Sequence, residues 1–364
     1  MRSARRWVLV LTALLVAFGV VMVYSSSAIY AKDRYGDAGY FLKRHLMYLL
    51  LGGMCAGAVL AVDPRRIRRW AKPVMAVVIG MLFLVLVPGI GRRVSGATRW
   101  FRIGGLSLQP SELAQLAIIL YFADVLTRKR GLLQDFFQGV LPALVVLGVT
   151  VGLIVIEPDL GTSVATAVVA LLMLFVAQVR WKILAPLILS LAPVGVALVL
   201  IKPYRVRRIL AYLNPWADPE GSGFQLIQSL VALGSGGLFG VGLGESRQKL
   251  FYLPAAHTDF IFSVIGEELG LVGATTVLIL IGLLCWQGMR LAFSSPDSFG
   301  FLVGMGIVFL IALETLVHVG VATGAIPTKG LPLPLISYGG SSLIVNLISI
   351  ALLLNVARPT AHVG

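Results

Sequence analysis

The chain reads as an all-α polytopic membrane protein, and three observations carry that reading. Of its 364 residues, 58% are hydrophobic and 13% charged, against about 25% charged in a typical soluble domain. Apolar runs of ~20 residues, the length that crosses ~30 Å of hydrocarbon, recur from one end to the other. These runs are continuous, which excludes a β-barrel built from ~10-residue strands of alternating polarity.

Ten spans are expected, at 7–29, 44–62, 73–88, 111–127, 139–156, 160–177, 182–201, 260–286, 300–322 and 336–357. The first follows the basic "MRSARR". Its apolar run is too long for a signal peptide and no small-x-small cleavage site follows, so it is expected to stay as a span. The whole of 1–364 reads as a single membrane domain, with a long extracytoplasmic loop at 202–258 between the seventh and eighth spans. Lys and Arg in short loops set the orientation. With the N-terminus inside, the inner loops hold 15, among them "DPRRIRRWAK" and "TRKRG"; the outer ones hold 9 once the long loop is set aside. Both termini are therefore expected in the cytoplasm.

Two basic clusters oppose that bias: Arg92, Arg93, Arg99 and Arg102 in one outer loop, and Lys202, Arg205, Arg207, Arg208, Arg247 and Lys249 in the 202–258 loop. An anionic ligand such as a phosphate would explain them, and so would lipid headgroups. The net charge of +14 is spread over both faces with no nucleic-acid module, so nucleic acid is not expected as a partner. Cys55 and Cys285 fall in separate spans and the four His residues are scattered, so neither a disulfide nor a His/Cys metal site is expected.

Three outer segments break the helical pattern. Residues 91–115 carry Trp100 and Phe101, suited to a membrane interface, and then Pro110, Ser111 and Glu112, which read as a helix start. The 57-residue loop 202–258 is long enough to suggest function. Its "LNPWADPEGSGFQ" is turn chemistry, and the Gly-dense 226–244 reads as a short helix followed by irregular chain. Residues 326–342, with three prolines, read as a re-entrant or interfacial loop, which needs cover from protein or water. Together they suggest a cavity on the outer face, lined by charge.

Ionisable residues at membrane depth are candidates for function. They are Glu112, Glu157, Asp159, Asp259, Glu267, Glu268 and Glu314. Each has a plainer reading. Asp259 and Glu112 suit helix N-termini, Asp159 a turn in "EPDLGT", and Glu267 and Glu268 pairing with basic residues. Glu314 is placed to hydrogen-bond His318 one turn on. Gly53 and Gly57 form a small-xxx-small pair that suits helix packing. On position alone, Asp259 stays open between helix cap and catalyst.

The stretches "GATRWFRIGGLSLQPSEL", "EPDLGT", "GLGESRQKLFYLPAAHTDF" and "PTKGLPLPLISYGGSSL" together resemble the SEDS family, named for shape, elongation, division and sporulation. With the early "VMVYSSSAIYA", they are more similar to its division and sporulation members than to its elongation members. The resemblance implies ten helices, both termini cytoplasmic, and a peptidoglycan glycosyltransferase of the bacterial cell membrane that polymerises lipid II beside a class B penicillin-binding protein, a transpeptidase. It places the family's essential aspartate on Asp259, and supporting or cation-holding acids on Glu112 and Asp159. A divalent cation, Mg or Mn, is the only cofactor it suggests. There are two departures. Gln115 stands where the family usually has Lys, and Ala255 where it usually has Glu.

The chemistry that follows needs one carboxylate. A sugar 4-hydroxyl is a poor nucleophile, so a general base helps it by ~10²–10⁴-fold. The lipid diphosphate already leaves well and needs its growing charge stabilised. Arg99, Arg102, Arg205, Arg208 and Lys249 are the candidates for that task, and Glu267 and Glu268 are expected to be structural. A lipid II flippase and a non-catalytic scaffold of the division machinery are the competing readings.

Overall fold

A computed structural model describes residues 2–94, 97–250 and 252–358. Phe251, and the side chain of Arg93 from the outer basic cluster, lie outside the described set. The helices run in chain order as α1 (Arg2–Tyr35), α2 (Tyr40–Ala61), α3 (Pro64–Leu86), α4 (Pro110–Arg128), α5 (Leu141–Ile156), α6 (Leu160–Val176), α7 (Trp181–Leu200), α8 (Pro203–Leu213), α9 (Phe224–Gly236), α10 (Ile261–Phe293), α11 (Ser298–Ala322) and α12 (Gly340–Val356). Eight of the described helices are long and apolar enough to cross a membrane; the shorter apolar α6 and α12 occupy the sixth and tenth expected spans. The protein is a multi-pass helical membrane protein.

The bundle is built outward from α4. Fourteen of its residues are buried, and it packs against α3, α6 and α11. Around this centre, α1 pairs with α10 and α2 with α12. The α2–α12 contact uses Gly52, where a β-carbon would meet Leu347 at 2.7 Å and the Ile344 backbone at 3.2 Å. Gly53 and Gly57, the expected packing pair, face open space. Small residues serve helix packing only on the face that meets another helix. By contrast, α7 buries only Leu184 and leaves the rest of its apolar surface outward.

Several boundaries differ from the expected spans. The third helix starts at Pro64 rather than 73. Asp63 caps it by accepting the Arg65 N–H at 2.7 Å, with Pro64 at N1. Its inward stripe of Ile67, Ala71, Met75, Val78, Leu82 and Val85 has helical period, so "DPRRIRRWAK" is the capped start of the helix rather than a loop. The 202–258 loop contains two helices. The strongly amphipathic α8 comes first, and α9 occupies the expected short-helix position. Residues 91–109 are not irregular. Strands β1 (Arg92–Val94), β2 (Ala97–Ile103) and β3 (Leu106–Leu108) form an antiparallel meander. Gly104 and Gly105, at φ 56° and 86°, make the two-residue turn that matches strand twist.

The expected eighth span, α10, is broken at Gly270, where φ is 68°. Residues 237–242 lie in the break. Val241 and Gly242 donate to the Glu267 and Glu268 carbonyls, and Leu271 and Val272 donate back to Gly237 and Leu238. The polar part of α10 is thereby held against the 202–258 segment.

Candidate active site

The three segments singled out above meet at one end of the bundle. Strand β3 is pinned there: the Ser107 N–H donates to the Tyr48 hydroxyl at 2.8 Å, and the Ser341 hydroxyl donates to the Ser107 carbonyl at 3.1 Å. The 326–339 segment is tied to the turn before α10. Tyr338 N–H donates to the His257 carbonyl at 3.0 Å, and the Ser337 hydroxyl to the Thr258 carbonyl at 2.7 Å.

Asp259 sits in that turn. The Ala255 carbonyl accepts the N–H groups of Thr258, Asp259 and Phe260 at 3.1, 3.1 and 3.3 Å, and Ala255 itself has φ 56°. A non-glycine residue held there stores of order 1 kcal/mol or more, which the surrounding hydrogen bonds offset. The N-cap position of α10 falls on Phe260 and no side chain caps it, so the helix-cap reading of Asp259 fails. Its carboxylate instead backs onto Gly330, where a β-carbon would lie 2.5 Å from Oδ2. The group is recessed yet still partly reachable by solvent. Burial raises its pKa above the ordinary carboxylate value; the Thr258 hydroxyl, Arg208 and Arg99 pull the other way, and Asp159 adds to the rise. Neighbouring His257 is wedged against Phe41 (4.4 Å between ring centroids), Tyr338 and Tyr30. Burial lowers its pKa to about 4, so its imidazole is neutral at pH 7.

Asp159 caps α6. It accepts the Thr162 N–H at 3.2 Å, the Thr162 hydroxyl at 3.0 Å and the Gln109 amide at 3.0 Å, with Arg99 4.0 Å away. Gln109, unremarked in the sequence, thus joins the β3–α4 junction to the α5–α6 turn. Arg99 braces the same turn by donating to the Glu157 and Pro158 carbonyls. Beside it Glu157 is fully buried, and neither side-chain oxygen has a described partner. Burial first, and then Asp159, push its pKa to about 8, so it is largely protonated near neutrality. Glu112 stands in the first turn of α4 but caps nothing. It faces Glu314 on α11. Gln115 faces Glu314 as well, but neither the Gln115 amide nitrogen nor Glu314 Oε2 has a formed hydrogen bond. The expected Glu314–His318 bond is absent among the described residues. His318 Nδ1 pairs instead with the Leu331 carbonyl at 2.8 Å, because the 326–339 segment folds over that face of α11.

The basic candidates separate in the structure. Arg208 and Arg99 act on Asp259. Arg208 also lines a groove of about 440 Å³ with Tyr204, Arg207, Pro254 and Thr328, and reaches the Thr328 carbonyl only at 3.4 Å. Arg102 is exposed on β2. Arg205 and Lys249 are committed elsewhere, which removes them as free phosphate contacts. Arg205 is buried and donates to the Leu198 carbonyl at 2.6 Å and to the Tyr204 hydroxyl at 3.0 Å. Lys249 forms a buried ion pair with Glu268 at 2.7 Å. Ser25 of α1 donates to the same carboxylate at 2.7 Å. Glu267 accepts from the Ser246 hydroxyl and from the Arg247 N–H at 2.9 Å. Lys329, next to Gly330 in the chain, is a further basic group at this end: it is partly buried and the Asp159 charge acts on it.

The acids do not make a protein-only metal cage. Asp159 is saturated by Thr162 and Gln109, Glu112 is turned toward Glu314, and among the described residues no three His, Cys, Asp or Glu are placed to hold an ion.

Known proteins repeat this architecture. The model of the Cell cycle protein family FTSW_RODA_SPOVE matches residues 5–362. A protein of Geobacter sp. (strain M18) named probable peptidoglycan glycosyltransferase FtsW is 45% identical over 350 residues, covering 96% of this chain and 95% of its own length. Stage V sporulation protein E of Bacillus subtilis (strain 168) is 44% identical with the same coverage. Among solved structures, one chain belongs to a peptidoglycan synthase complex studied for the coordination of polymerization and crosslinking. It superposes with a TM-score of 0.80 at 35% identity, over 96% of each chain. The rod shape determining protein RodA of Thermus thermophilus superposes with a TM-score of 0.72 at 32% identity, over 96% of this chain and 95% of its own. With that match running nearly end to end, the chain belongs to the FtsW/RodA/SpoVE family of cell cycle proteins.

Proposed function

We propose that Asp259 is the general base with which this protein, a peptidoglycan glycosyltransferase, polymerises lipid II on the extracytoplasmic face of the cell membrane. The supporting observation is the setting of that carboxylate. It is recessed and has no ion-pair partner in contact among the described residues. Burial raises its pKa toward the range where a base works at neutral pH.

Asp259 takes the proton of the acceptor GlcNAc 4-hydroxyl, and the oxygen attacks C1 of the donor MurNAc with inversion. Undecaprenyl diphosphate leaves. Arg208 at the groove mouth and Arg99 at the α5–α6 turn are the cations nearest in influence to Asp259, and they supply positive potential where charge develops. Arg102, exposed on β2, extends that potential to the rim. Asp159 and Glu112 position rather than react: Asp159 fixes the α6 start and Arg99, and Glu112 packs between α4 and α11. The partner is a transpeptidase of the class B penicillin-binding type, and the setting is cell division.

Purified protein with its transpeptidase partner, given lipid II, should form glycan chains, and Asp259→Asn should lower the rate ~10²–10⁴-fold with an unchanged melting temperature. Normal polymerisation by the Asn variant refutes the base. Lipid II movement across vesicles with no glycan formed would replace the enzyme by a flippase.

A further inference from the structure

Lys329 is a cation at the active-site end of the bundle, in the segment that folds over α11. Lys329 precedes Gly330, whose Cα backs onto the Asp259 carboxylate. Among the described residues its ammonium makes no hydrogen bond and no ion pair. It is nevertheless largely enclosed. Burial lowers its pKa from 10.5, and the opposite charge that acts on it is Asp159. That carboxylate is already held by Thr162 and Gln109. Enclosing an ammonium without a fixed counter-charge is unfavourable. The arrangement makes sense where a ligand brings the negative charge.

The other basic groups do not fill this place. Lys249 is neutralised by Glu268, Arg205 is tied to a backbone carbonyl, and Arg99 is fixed at the α5–α6 turn by two carbonyls with Asp159 4.0 Å away. The α4 helix offers no cation there, since Gln115 is neutral and faces Glu314. The groove that Arg208 lines reaches Thr328, the residue before Lys329. Lys329 and Arg208 therefore flank one short piece of backbone that borders both the groove and Asp259.

We propose that Lys329 binds the diphosphate of the sugar donor and neutralises the charge that grows on it during transfer. This rests on the reading of Asp259 as the base. In that step the acceptor O4 forms a bond to donor C1 while the bond from C1 to the diphosphate oxygen breaks. The electron pair leaves on the diphosphate, and the 4-hydroxyl proton passes to Asp259. A compact ammonium with three donors suits a phosphate contact that needs charge more than a planar fork.

The test uses the full chain with its transpeptidase partner in detergent and compares Lys329→Met, Lys329→Gln and Lys329→Arg. Glycan formation from lipid II should fall ~10²-fold in kcat for Met and Gln, the scale for losing one charge-stabilising donor, and Arg should restore most of it. Binding is read separately in an Asp259→Asn background, with undecaprenyl diphosphate as probe and neutral undecaprenol as control. Removing the ammonium should weaken the diphosphate at least ~10-fold and leave undecaprenol unchanged. Unchanged diphosphate binding overturns the proposal, and so does an equal loss for both lipids, which marks a packing defect. Should Met unfold the protein, the Gln variant carries the same comparison. Normal polymerisation by Asp259→Asn would sink the base while leaving the diphosphate-binding result to stand or fall alone.

Discussion

Asp259 and Glu268 are nine residues apart, one in the turn before α10 and the other inside that helix, and the protein treats them in opposite ways. Glu268 is sealed. Its carboxylate meets Lys249 and Ser25 at 2.7 Å, and with Gly242 donating to its backbone carbonyl it clamps α1, α10 and the 202–258 segment together. Asp259 is enclosed but not neutralised, with Arg208 and Arg99 acting from beyond contact. A paired, desolvated carboxylate has spent its charge on structure. A recessed one without an ion pair keeps its basicity for a substrate. Acidity near a membrane is thus uninformative until the partners are counted.

The largest effects should separate the two along this line. Asp259→Asn should abolish most activity at unchanged stability. Glu268→Ala strands the Lys249 ammonium in a buried site and should cost about 3–5 kcal/mol, seen as a lower melting temperature before any change in kcat per folded molecule. Reversal of these roles would break the comparison.

Gly330→Ala should act on Asp259 alone. The new methyl group meets the end of a side chain rather than backbone, 2.5 Å from Oδ2, so the carboxylate swings aside and the fold survives. A misplacement of that size costs up to ~10²-fold in rate, and a melting curve beside an activity assay distinguishes it from unfolding.

Glu157 gives the smallest effect and a check on sign. Its folded pKa of about 8 is raised from 4.5. Above pH 4.5 the unfolded chain therefore loses a proton that the folded protein keeps, and stability falls as pH climbs toward 8. Glu157→Gln should raise the melting temperature by about 2–4 °C at pH 8 and change it little at pH 4.5. An equal gain at both pH values would mean that desolvation of the charged form is not the cause.

Much of this was legible in the sequence. Apolar runs gave the bundle, since a long stretch without charge has few other solutions. The clustering of loop motifs gave the site end. Local spacing misled where a distant segment intervened. Glu314 and His318 have the spacing of a helical pair, but the Leu331 carbonyl takes the imidazole. Asp259 has the position of a cap, but the 255–260 turn directs its carboxylate toward Gly330. Lys249 and Arg205 looked like free outer charges because their partners, Glu268 and the Leu198 carbonyl, are fixed only by packing. The strands at 92–108 were missed, although Gly104–Gly105 is the chemistry of a two-residue hairpin turn. Lys329 was not legible, since only the folded loop shows its ammonium to be unpartnered.

The most direct test of Asp259 as the base is the pH dependence of glycan formation from lipid II, measured for the wild type and for Arg208→Gln. A base must be deprotonated, so the rate should rise with pH along a single acidic limb. That limb should lie above the ordinary carboxylate pKa of 3.8, and it should move further up in Arg208→Gln, because Arg208 holds the Asp259 value down. A flat profile, or a limb that Arg208→Gln leaves in place, would contradict the account.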